Sequence, residues 1–330
     1  MPINPNAKLS SKIFDNDIDQ KPTRNGFGDG LILAADNNKN VVALCADLTE
    51  STRMEAFAKK YPERFFEIGV AEQNLATVGS GFGVSGKVTF ISSYATFSPG
   101  RNWEQIRTTI AYNNSNVKIV GSHAGISVGP DGATHQAIED IATMRVIANM
   151  KVFVPCDVVE AKKVTVAAAK IWGPIYIRLG REKTPVFTTD ATPFTPGKVD
   201  VFWLSKKPSC VIVGCGSLIY NAILAARDLE KEKIGTVVLN CHTIKPLDER
   251  EITKWAKKCG AVVTVEEHQV SGGLGGAVAE TLAKSAPTPI EFIGMQNTFG
   301  ESGPPGLLLL KYGMGVKDIM SAVKRAIKRK

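Results

Sequence analysis

Long apolar runs are missing from this chain. No stretch approaches the ~18–20 consecutive apolar residues that a membrane-crossing helix needs, so helical insertion is not expected. The N-terminus, MPINPNAKLSSKIFDNDIDQKP, has neither an apolar core nor a small-residue cleavage site, and reads as a partly ordered polar arm. No C-x-x-C pair occurs among the six cysteines, Cys45, Cys156, Cys210, Cys215, Cys241 and Cys259. Most of them stand in apolar strand-like runs, which argues against a zinc site or a disulfide frame and for reduced core thiols in a cytoplasmic protein. Glycine (30) and proline (17) are too few for a collagen-like or low-complexity chain of 330 residues. No basic stripe is interleaved with aromatics, so nothing resembles a nucleic-acid module. Part of the net charge of +8 lies in the C-terminal run Lys324 to Lys330, read as a solvated helix end. An anionic small substrate is the more economical use of the remainder.

What is present is alternation. Buried-strand runs such as Val41 to Ala46 and Val117 to Ser122 alternate with helical patterns at residues 24–38, 71–83, 102–112 and 158–171. After a proline-rich stretch the pattern restarts, with strands at 210–213, 236–240, 261–266 and 290–293 and helices between them and at 316–329. The fold class expected is α/β with two domains, each a mainly parallel sheet flanked by helices. The divisions read from composition are an arm at 1–20, a first domain at 21–190, a linker at 191–208 and a second domain at 209–330.

Gly129 to Ile141, GPDGATHQAIEDI, draws attention next. Gly129, Pro130 and Gly132 break a helix, and Pro-Asp-Gly is turn chemistry. From Thr134 a helix is expected, with Thr134 as N-cap and Ala137, Ile138 and Ile141 as its apolar face. Asp131 and His135 would then sit at a helix mouth, as a ligand site or simply as a capped loop. Three glycine patterns are set aside. Gly81 to Gly86 fits G-x-G-x-x-G but ends a helix; Gly214-Cys215-Gly216 lacks a third glycine; Gly28-Asp29-Gly30 sits inside a helical segment and reads as surface helix.

Four stretches in order carry a resemblance. Glu67-Ile68-Gly69-Val70-Ala71-Glu72-Gln73-Asn74 puts an acid at the start of a helix after a strand. Tyr94 and Phe97 lie on the loop after the next strand. Ser122 to Gln136 follows the third, and Gly173 to Arg181 closes the domain. Together they resemble the pyrimidine-binding domain of transketolase, a thiamine-diphosphate family. The second domain, with His268-Gln269-Val270-Ser271-Gly272-Gly273-Leu274-Gly275, is similar to the transketolase C-terminal domain.

The resemblance implies roles. Glu72 matches the glutamate that hydrogen-bonds the cofactor aminopyrimidine, which requires a carboxyl group in a dry site, where burial raises its pKa. Phe97 matches the aromatic that stacks on that ring, with Tyr94 beside it, and Asp47 lies on the polar loop Asp47 to Ser51 on the same cofactor side. His123, Asp131 and His135 match residues that contact the ketose donor and acceptor, the two histidines being expected to titrate near their working pKa and pass protons. Arg24, Ser51 and Arg181 match positions that hold a sugar phosphate, where a planar guanidinium binds bidentately. Arg178 is either a weaker phosphate candidate or the partner of a structural acid.

No working Gly-Asp-Gly…Asn motif, which in this family holds the diphosphate and its divalent ion, is found in the chain. The resemblance therefore implies the C-terminal subunit of a split transketolase of the pentose phosphate pathway. Such a subunit would be inactive alone, its Mg2+ or Ca2+ held by an N-terminal-type partner in an α2β2 assembly. Alternatives are the C-terminal part of a deoxyxylulose-phosphate synthase, a 2-oxoacid dehydrogenase β subunit, or a non-catalytic partner. A nicotinamide-dependent dehydrogenase would rest only on the discarded glycines.

Overall fold

The structure is a computed structural model that describes residues 2–330. Two parallel sheets organise it. The first runs, edge to edge, Thr243–Lys245, Lys151–Phe153, Ile175–Arg178, Val117–Ser122, Val88–Tyr94, Val41–Cys45 and Phe65–Glu67. All neighbours are parallel except Thr243–Lys245, which runs antiparallel to Lys151–Phe153. The second runs Ile290–Met295, Val262–Gln269, Cys210–Gly214, Thr236–Asn240 and Asp200–Leu204, antiparallel only at the last. The runs Val41–Cys45, Val117–Ser122 and Cys210–Gly214 are buried at every position, because helices cover both faces of such a sheet.

The N-terminal arm and the linker depart from expectation. The Asp200–Leu204 strand lies inside residues 191–208, so that segment is not a plain linker. Its backbone also takes up the arm: Asn4 N–H donates to the Phe202 carbonyl at 3.0 Å and Leu204 N–H to the Pro2 carbonyl at 2.8 Å. Ala7, Ile13 and Ile18 are buried in the core of the second half, so the arm is ordered by apolar burial despite its polar composition.

Nor are the two halves separate bodies. Thr243–Lys245, from the second half, extends the first sheet. One apolar cluster joins Ile141, Met144 and Val154 of the first half to Val211, Val213 and Leu274 of the second. A polar seam lies beside it, where Glu160, Asp200 and His242 bring their ligand-type atoms within 4.8 Å of one another. Its partners are largely internal: Glu160 accepts from Asn240 Nδ2 and Cys156 N–H, each at 2.7 Å, and His242 Nε2 lies 3.4 Å from Asp200 Oδ2.

Gly28-Asp29-Gly30 is not plain surface helix. Asp29 is exposed, but Gly30, like Gly26, faces the Val158–Lys170 helix. A Cβ at Gly26 would lie 2.0 Å from the Val158 carbonyl oxygen and one at Gly30 2.7 Å from Thr165 Cβ. These glycines set the close approach of two helices, which is the reason for their presence. All six cysteines are free and buried, as the sequence led one to expect.

Candidate active site

Because the strands are parallel, their carboxyl ends share one side of the sheet, the side on which open α/β sheets bind ligands. Asp47 follows Val41–Cys45, Glu72 follows Phe65–Glu67, Tyr94 ends Val88–Tyr94, His123 follows Val117–Ser122 and Arg181 follows Ile175–Arg178. Among the described residues, three of the eight non-glycine residues with positive φ, Asp47 (56°), Arg53 (65°) and His123 (57°), lie in these loops. Such backbone is costly and is retained where the surroundings fix it.

Glu72 opens the Glu72–Val84 helix and is 4% exposed. Both its oxygens accept from Arg101 Nη1, at 3.1 and 3.2 Å, and its backbone carbonyl accepts from Asn102 Nδ2 at 2.9 Å. The Arg101 guanidinium also lies 4.2 Å from the centre of the Phe97 ring. Arg101 was not foreseen; its position follows from the loop after Tyr94, which no periodicity specifies. Behind it, the expected helix 102–112 takes π geometry over Ile106–Ala111, a form frequent beside functional sites.

The aromatic and imidazole groups meet as a chain. Tyr94 and Phe97 stack with centroids 6.0 Å apart; His135 meets Phe97 edge-on at 5.4 Å; His123 stacks on Tyr94 at 3.8 Å. Arg24 Nη1 then lies 3.1 Å from His123 Nε2 and donates to the Ser51 backbone carbonyl at 2.7 Å. Ser51 thus engages through its carbonyl. Arg181 Nη1 donates to the Val128 carbonyl at 2.9 Å.

His123 corrects an expectation. A guanidinium only donates, so Nε2 must accept from Arg24, and the ring proton sits on Nδ1, 2.9 Å from Ser122 Oγ. Burial first, then the charges of Arg24, Arg181, Arg53 and His135, push its pKa down to about 3. It is therefore a neutral hydrogen-bonding group and not a proton carrier near neutrality. Burial, together with Arg53 and Arg181, also lowers the pKa of Arg24, which marks a crowded positive pocket.

The helix expected from Thr134 is absent. Ile126–Asp131 forms 3-10 turns broken at Gly129 (φ 78°), residues 132–139 are irregular, and the helix begins at Asp140. Thr134 is no N-cap; its hydroxyl instead meets His135 Nδ1 at 2.9 Å. Tertiary contacts override local propensity here, because the Ala137 carbonyl accepts from Gly125 N–H and Arg178 and the Ile138 carbonyl from Gln269 N–H. Asp131 is exposed, and its side chain makes no hydrogen bond or ion pair among the described residues. Asp47 is exposed as well; its N–H donates to Glu67 Oε1, which also accepts from Gly69 N–H and so braces the turn into Glu72. Among the described residues, neither aspartate makes a hydrogen bond or ion pair to another site residue. Arg178 is the structural partner of an acid: it is buried, 2.7 Å from Asp140 Oδ2, which also accepts from Tyr176 at 2.6 Å.

The donor set fits one half of a thiamine-type cofactor. A buried carboxylate beside a half-buried aromatic face suits a flat aminopyrimidine ring, and a positive pocket adjoins it. For a divalent ion, the one cluster of three ligand-type groups among the described residues, Glu160, Asp200 and His242, belongs to the seam between the halves and includes none of these site residues.

Comparison with known proteins agrees. Residues 19–186 match the family model for the transketolase pyrimidine binding domain and residues 199–319 that for the transketolase C-terminal domain. A putative transketolase C-terminal section from Methanocaldococcus jannaschii is 41% identical over 312 residues, covering 94% of this chain and 97% of the relative. A 6-deoxy-6-sulfo-D-fructose transketolase subunit from a Clostridium species is 35% identical, covering 96% and 98%. Rat transketolase is 34% identical over 98% of this chain but only 51% of its own length. A solved structure described as a split gene transketolase, inactive beta4 tetramer, superposes with a TM-score of 0.87 at 44% identity, covering 93% and 98% of the two chains. The chain belongs to the transketolase family, as a C-terminal section made of the pyrimidine-binding and C-terminal domains.

Proposed function

We propose that this chain is the C-terminal subunit of a two-subunit transketolase. With a partner that carries the diphosphate-binding domain and its Mg2+ or Ca2+, it transfers a two-carbon ketol unit from a ketose phosphate to an aldose phosphate. Thiamine diphosphate, when bound, would supply the carbon nucleophile and electron sink. The observation that carries this reading is the continuous array from buried Glu72 through Phe97, His135, Tyr94 and His123 to Arg24.

In this reading the Glu72 carboxyl shares a proton with a ring nitrogen of the aminopyrimidine, and the Phe97 face fixes the ring plane, worth about 0.5–1.5 kcal/mol beyond area burial. Arg101 now makes both of those contacts and has to withdraw for the ring to enter. Asp47 and Tyr94 border the cofactor side. His123, neutral with its proton held at Nδ1, offers its Nε2 lone pair, which Arg24 now takes, to a sugar hydroxyl once Arg24 turns to the phosphate. His135 is the group that moves a proton as the ketol bond breaks, and Asp131 takes a donor hydroxyl. Arg24 and Arg181, with the Ser51 loop, hold the phosphate. The positive pocket favours a sugar phosphate over a simple 2-oxoacid donor.

The nearly full-length match to relatives named as C-terminal section and subunit supports the split organisation. The test is a ketol-transfer assay with thiamine diphosphate, a divalent ion and a ketose/aldose phosphate pair. Turnover is expected with an N-terminal-type section and none with this chain alone; robust turnover by the chain alone would overturn the split. Light scattering of the mixture checks the α2β2 assembly.

A further inference from the structure

We propose that Glu267, from the second half of the chain, is a positioning residue for the substrate loop, fixing the Gly125–Ser127 turn and through it His123. The proposal rests on the reading of His123 given above.

Ser127 N–H donates to Glu267 Oε1 at 2.6 Å. Gly125, at φ 86°, packs against the same carboxyl; a Cβ there would lie 2.3 Å from Oε1, so the turn tolerates no side chain while Glu267 is in place. Two residues before Gly125 stands His123, itself at positive φ. Around this point the second half grips the loop repeatedly. Gln269 N–H donates to the Ile138 carbonyl at 2.8 Å, Gln136 Nε2 to the Glu301 carbonyl at 3.0 Å, and Arg178 Nη2 bridges the Ala137 and Glu267 carbonyls at 3.1 and 2.9 Å.

Among these contacts, Glu267 is the one made by a side chain of the second half directly to the turn behind His123. Its carboxyl is buried, 6% exposed, and its other partner is Ser217 Oγ at 3.4 Å. Burial raises its pKa against the pull of Arg178. A buried acid with one short N–H donor is expensive to keep. Its retention is explained if the turn it holds sets the place of His123 Nε2, where misplacement of about 1 Å is costly to a reaction.

The test uses the full chain, alone and assembled with its N-terminal-type partner. Glu267→Ala, and Glu267→Asp, whose shorter arm withdraws from Ser127, are expected to lose at least tenfold amide-exchange protection at residues 125–128. In the assembled enzyme both should lose at least tenfold in kcat/KM. Glu267→Gln keeps an acceptor oxygen for Ser127 N–H and should recover both. Val263→Ala, a cavity in the buried core of the second half, should lower the melting temperature while leaving protection at 125–128 and kcat/KM unchanged. Unchanged protection at 125–128 in both Glu267→Ala and Glu267→Asp would overturn the proposal, as would wild-type kcat/KM in both. If the unaltered complex transfers no ketol unit, the functional reading fails by itself, and the exchange result still decides whether Glu267 holds the turn.

Discussion

The two halves of this chain share an architecture and use it differently. Both are parallel sheets whose strands end on one side. In the first half those ends carry Glu72, Tyr94, His123 and Arg181 to one side of the sheet. In the second half they are spent on the first. Gly216, after Cys210–Gly214, donates its N–H to the Val154 carbonyl at 3.2 Å; the His242 carbonyl, after Thr236–Asn240, accepts from Val154 N–H at 2.9 Å; and Gln269 donates to Ile138 at 2.8 Å. A parallel sheet offers a ligand-binding edge, but occupancy of that edge is decided by what docks there. In the second sheet the docked body is the first domain, so its strand-end chemistry has become scaffolding.

The largest expected break of this contrast is Glu72→Gln. In the assembled complex kcat should fall by about 10²–10⁴ because the acid-base contact is lost, while the melting temperature stays nearly unchanged; steady-state kinetics and calorimetry check it. The mirror-image case is Asp140→Ala, at the junction. It strands buried Arg178, which has Asp140 as its ion-pair partner, and should cost about 3–5 kcal/mol in urea unfolding. Within the candidate site, Arg24→Met should raise KM for a phosphorylated donor roughly 10–100-fold, the worth of a charged hydrogen bond, and leave a donor lacking the phosphate little affected.

A smaller effect separates His123 from the other groups of the candidate site. Its folded pKa, about 3, lies below its unfolded value near 6.5, so the unfolded chain takes the proton first. Its contribution to stability is therefore present above pH 6.5 and is lost as pH falls from 6.5 toward about 3. His123→Gln should flatten the stability decline between pH 6.5 and 5 by about 1–2 kcal/mol, read as a difference from wild type in denaturant titrations.

Much of the molecule was legible in its residues. The buried runs at Val41 and Val117 announce parallel strands by composition alone, because a strand covered on both faces has no polar side. Glu72 and His123 were found through the resemblance that their stretches carry to the transketolase pyrimidine-binding domain. Arg101 and Glu267 were not. Arg101 lies in a loop without period, and Glu267 lies in a strand whose neighbours say only that it is buried. The helix expected at Thr134 failed for a related reason: a cap-like residue before an apolar stripe specifies a helix only if no other partner claims the backbone.

By itself, then, the sequence determined the α/β alternation, the buried thiols, the family resemblance and the set of groups at the strand ends. These depend on local period and on motif order along the chain. Tertiary structure alone decided that Arg178 is structural, that His123 is held neutral, that Arg101 covers Glu72, and that the second half holds the loop at residues 125–138. Each of those depends on which charges and backbone groups are brought within a few ångströms across long sequence separations, and no local pattern encodes such distances.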